Sequence, residues 1–158
     1  MRLFLREEVR RGLHRAVSAA GRLEIGGVLM AEQIAPGSFH VVEFTTDGRT
    51  GSSAHFVRSV DNHRAALKDF FQRTASDFGR FNYLGEWHSH PNHQPVPSTE
   101  DVFSMESLVS GERDIPFAVL LIVQAGRRTL ACTATLFERD GEPRPVAISD
   151  VPFTATGE

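Results

Sequence analysis

The chain has 158 residues, 41% of them hydrophobic, which suits one domain with a buried core, and no Pro/Gly/Ser-rich linker divides it. A formal net charge of -3, with basic residues scattered among acids, excludes the one-sided basic footprint of a nucleic-acid binder. Met1 to Glu8 holds no apolar run of signal-peptide length, no later segment approaches a membrane span, and a single cysteine, Cys132, excludes an internal disulfide, so a cytoplasmic protein is expected.

Taken in order, Glu7 to Ala20 reads as a first helix, and Ile25 to Ala31 and Phe39 to Thr45 read as strands joined around Pro36-Gly37. Glu24 stands just before the first of these strands. Gly26 and Gly27 remove side chains at its start, so that backbone or substrate can pass close to that carboxylate. Val57, Val60, Leu67, Phe70, Phe71, Thr74 and Phe78 recur at roughly helical spacing and predict a helix whose apolar stripe covers the sheet. Phe117 to Val123 is an unbroken apolar strand expected to be buried on both faces, and Gly126 turns it into a strand ending near Phe137. Cys132 alternates with core positions there and reads as a small buried hydrophobe. A short strand at Val146 to Ser149 follows. Residues 1–150 are expected to form the domain, with 151–158 as a loose tail.

The chemistry concentrates in His88-Ser89-His90-Pro91, followed by Ser98 and Asp101. Residues two apart on a strand project to the same face, so His88 and His90 can offer both imidazoles to one ion. Pro91 ends the strand, and Asn92 to Pro97, with two more prolines, forms a turn that can bring Asp101 back. Two nitrogens and one oxygen suit zinc, and three protein ligands leave a fourth position for water, the arrangement of a hydrolytic centre. Ser98 to Asp101 is also a helix capping box, and the two roles are compatible. A zinc hydrolase needs a base; Glu24 is one candidate, and Glu86, which shares a strand face with His88, is its rival. His14, His40, His55 and His63 show no paired ligand spacing, and His93 reads as a residue of the intervening turn.

The pairing of Glu24-Ile25-Gly26-Gly27-Val28-Leu29-Met30 with His88-Ser89-His90-Pro91 and Ser98-Thr99-Glu100-Asp101 resembles the JAMM (JAB/MPN) metalloproteases, and the order of elements matches over nearly the whole chain. The resemblance implies an α/β JAB/MPN fold related to cytidine deaminases, a mixed β-sheet flanked by helices. It assigns His88, His90 and Asp101 to Zn2+, the general acid/base role to Glu24 rather than Glu86, and oxyanion support to Ser98. Tyr83 to Pro91 on so compact a chain is similar to bacterial JAB peptidases found beside ubiquitin-like conjugation enzymes, several of them in antiphage operons. The expected substrate is then a ubiquitin-like protein or its conjugates, cut after the C-terminal tail, with ubiquitin-activating-type or conjugating enzymes of the same operon as further partners. Two other classes stand beside this one. A zinc deaminase needs a Pro-Cys-x-x-Cys ligand pair that one cysteine cannot supply, and a non-catalytic scaffold has no need of the intact ligand set.

Overall fold

The computed structural model describes residues 1–47, 60–111 and 115–150; His55, Val57 and the expected tail 151–158 lie outside them. The elements are β1 (Arg2–Leu5), α1 (Glu7–Ala20), β2 (Gly26–Ala35), β3 (Ser38–Phe44), α2 (Val60–Arg73), β4 (Phe81–Ser89), α3 (Thr99–Ser110), β5 (Phe117–Ala125), β6 (Leu130–Glu138) and β7 (Arg144–Asp150).

The strands are ordered β1-β3-β2-β4-β5-β6-β7 in one mixed sheet, and β1 closes it by pairing in parallel with both β3 and β7. The mixed sheet agrees with expectation, but its closure into a barrel does not. No strand was expected before α1. The signal was present as period-two alternation, because Leu3 and Leu5 are fully buried while Arg2 is exposed. Four residues whose partners lie more than thirty positions away in the chain leave little local trace of a strand.

β5 is buried on both faces, as its apolar run predicts. Val119, Leu121 and Val123 join the main core, where α1 inserts Val9, Leu13 and Val17 at helical spacing. Ala118, Leu120 and Ile122 face the other way and pack with Met105 and Val109 of α3 and with Phe137. Cys132 is half-buried against the main core, alternating with Ala134 and Leu136.

α2 ends at Arg73, five residues short of the expected Phe78, because Ala75 and Ser76 adopt left-handed backbone conformations that break the helix. Thr74 Oγ1 donates to the Phe70 carbonyl (2.9 Å) and the Ser76 amide to that of Phe71 (2.9 Å), satisfying the terminal carbonyls. Phe70 is buried, whereas Phe78 is more than half exposed and meets Phe71 edge to face.

β2 passes close to its neighbours beside the histidines. A methyl group on Gly26 would lie 2.3 Å from the Trp87 carbonyl oxygen and 2.8 Å from His88 Cβ, and one on Gly27 would lie 2.0 Å from the Thr45 carbonyl oxygen. The glycine pair therefore admits backbone, and Gly26 seats β2 directly against the strand that carries His88.

Candidate metal centre

β4 delivers His88 and His90 to one face, and the Ser89 side chain points the opposite way, where its Oγ accepts from the Ile25 amide (3.1 Å) while the Ser89 amide donates to the Ile25 carbonyl (2.9 Å). That two-bond clasp holds the residue next to Glu24 against the histidine strand. α3 supplies Asp101 from its first turn. Ser98 Oγ accepts from the Asp101 amide (3.1 Å), and Asp101 Oδ2 accepts from the Ser98 amide (2.7 Å), so the capping box forms in full.

The three side chains converge. His88 Nε2 lies 3.2 Å from His90 Nε2 and 3.2 Å from Asp101 Oδ1, and His90 Nε2 lies 3.3 Å from Asp101 Oδ2. Donors held by a tetrahedral ion at 2.0–2.1 Å sit about 3.3 Å apart, so the set is spaced for one small divalent cation. His90 Nδ1 donates to the Gln94 carbonyl (2.9 Å), so that in the neutral ring the lone pair is on Nε2, beside the other two donors. Glu24 is 5% exposed, and one of its oxygens lies within 4.8 Å of ring nitrogens of both His90 and His93. Glu86, the rival base, is buried and lines a separate cavity of about 1050 Å3 beside α2.

Residues 6–134 match the family described as prokaryotic homologs of the JAB domain. The chain belongs to this prokaryotic JAB family. A curated relative, the CD-NTase/cGAS isopeptidase of Vibrio cholerae serotype O1 (strain ATCC 39315 / El Tor Inaba N16961), is 35% identical over 68 residues. That alignment spans 42% of this chain and 38% of the relative, so this JAB chain covers well under half the length of the curated protein it matches. Among solved structures, one protein from Desulfitobacterium hafniense superposes with a TM-score of 0.72 at 21% identity, covering 94% of this chain and 92% of that one. A second, from Salinibacter ruber, gives 0.57 at 21% identity, covering 100% and 96% respectively. Both establish the fold.

All five residues singled out in the JAB motif fall in this region of the structure: His88, His90 and Asp101 as a donor triad, Ser98 bonded to Asp101, and Glu24 alongside. His93 lies in the intervening turn, as read, and there it meets Glu24 and His90. Its Nε2 lies 3.6 Å from Glu24 Oε1, and its ring packs at a tilt of 39° against His90 with centroids 4.1 Å apart. The turn itself is anchored by residues that sequence reasoning passed over. Gln124 Nε2 donates to the carbonyls of His90 (3.1 Å) and His93 (2.9 Å), and Thr133 Oγ1 donates to that of Pro95. The available signal was a polar Gln124 directly after the apolar run of β5.

Electrostatics of the JAB triad make a pH prediction for the metal-free protein. Burial pushes the Asp101 carboxyl up, but hydrogen bonds from His88 and His90 outweigh it and hold Asp101 well below the ordinary carboxylate range. Burial likewise pushes His90 down, and the bonds to Asp101 and to the Gln94 carbonyl more than reverse it, leaving His90 raised. Stability from Asp101 is present above its unfolded value near 4 and is lost as pH falls further; that from His90 is full below about 6.5 and is lost as pH rises through its folded value. The metal-free chain should therefore lose thermal stability between pH 6 and pH 8. The metal-loaded chain should gain it over the same interval, since ligation needs neutral imidazoles. Melting curves with and without chelator test the opposed slopes.

Ser98→Ala removes the cap acceptor of α3 and should lower unfolding free energy by about 1 kcal/mol in the metal-free protein. Denaturant titration should show a reduced midpoint at an unchanged slope.

Proposed function

We propose that this chain is a zinc-dependent isopeptidase or peptidase that hydrolyses the bond after the C-terminal tail of a ubiquitin-like protein. The observation that carries this reading is the convergence of His88, His90 and Asp101 at 3.2–3.3 Å with the buried Glu24 carboxylate beside them. The Vibrio cholerae relative, named an isopeptidase, supports the bond type and suggests a place in a CD-NTase conjugation system.

His88, His90 and Asp101 would hold the ion, with the Gln94 carbonyl and the Ser98 amide orienting two of them from outside. Zinc in such a site would supply Lewis-acid polarisation and lower the pKa of water toward neutrality. Glu24 takes the proton from the attacking water and returns it to the departing amine, whether a lysine side chain or a main-chain nitrogen. Ser98 uses its oxygen lone pair for the helix cap, so its hydroxyl hydrogen points elsewhere and donates to the developing oxyanion.

Purified protein incubated with fusions of candidate ubiquitin-like proteins, including any encoded beside this gene, should release the modifier after its last residue. Chelation should stop the release, and zinc should restore it. Cleavage that persists in chelator and in the His88→Ala variant would defeat the proposal.

A further inference from the structure

The metal triad uses His90 Nε2, and His90 Nδ1 is committed to the Gln94 carbonyl. Beside it stand two further donors that the triad does not use. Glu24 Oε1 and His93 Nε2 are 3.6 Å apart, close to the spacing of two donors on one tetrahedral ion, and both lie within 4.8 Å of a His90 ring nitrogen. Their settings differ. The Glu24 side chain is almost wholly buried, whereas that of His93 is 48% exposed, so an ion could enter from solvent on the His93 side.

We propose that Glu24 and His93 form a second, weaker divalent-cation site next to the first, filled when zinc exceeds one equivalent, and that its occupation withdraws Glu24 from proton transfer. The inference rests on the zinc reading of His88, His90 and Asp101. Two protein donors complete only half a tetrahedral shell, and solvent fills the rest, so this site binds less tightly than the three-ligand one. A cation held on the Glu24 carboxylate favours its charged form and lowers its basicity, which makes the second ion an inhibitor of a step that needs Glu24 to accept a proton.

The test counts metal rather than turnover. Chain loaded with one equivalent of zinc is dialysed against rising free zinc, and bound metal per chain is measured by elemental analysis. The unaltered protein should climb from one ion to two. His93→Gln should keep the first ion and need at least about tenfold more zinc for the second, since losing a ligand costs no less than losing an outer-shell partner. His93→Glu, which restores a donor, should recover the second step. With a cleavable substrate, turnover of the unaltered protein should fall across that second step. Identical metal uptake by the unaltered chain and His93→Gln at every concentration would overturn the second site while leaving the first intact. Failure to take up even one ion, with no effect of His88→Ala, would overturn the zinc centre itself.

Discussion

Glu24→Gln should leave zinc content unchanged and cut the rate of modifier release by roughly a hundredfold to ten-thousandfold, the usual worth of a positioned acid/base. The substitution preserves the shape of a side chain that is 5% exposed and sits beside the Ser89–Ile25 clasp, so folding and metal binding supply internal controls. Glutamine keeps an acceptor oxygen but cannot take up a proton at neutral pH, so the loss falls on the chemical step and appears in kcat. Elemental analysis and single-turnover kinetics on the same preparation test both halves. A turnover equal to that of the unaltered chain would remove Glu24 from the mechanism.

Loss of a ligand should have a different signature. His88→Ala removes one corner of a triad whose donors are 3.2–3.3 Å apart, and the purified variant should carry close to no zinc and release no modifier above background. Asp101→Ala should do the same and more, because Asp101 also closes the capping box with the Ser98 amide. The difference is measurable in the metal-free state, where Asp101→Ala should be less stable than His88→Ala by about 1 kcal/mol, from the lost bond to the Ser98 amide and the lost negative charge in the first turn of α3. Metal analysis and denaturant titration of the two variants, side by side, separate the ligand role from the helix role. Retention of a full equivalent of zinc by either variant would place the ion elsewhere.

The motif could be recognised from local spacing because local geometry makes most of it: period two on a strand for His88 and His90, and a one-turn capping box for Ser98 and Asp101. α1 is legible for the same reason, its ends matching the expected Glu7 and Ala20. What escaped is non-local. β1 is a strand only because β3 and β7 are there to receive it. The Glu24–His93 approach joins two loops, and the Gln124 and Thr133 bonds to the turn cross 31 to 38 positions, distances at which a sequence pattern carries no register. The early stop of α2 belongs to a different class, since two left-handed residues, neither of them glycine, end it against an apolar spacing that runs on to Phe78.

The parallel pairing of β1 with β7 sets Arg2 beside Ala147 and so joins the first strand described to the last. Seam formation at so long a loop closure is entropically late, which makes slow folding the expectation. Trimming the first five residues would unzip the seam between β3 and β7 and expose both as edges for intermolecular strand pairing.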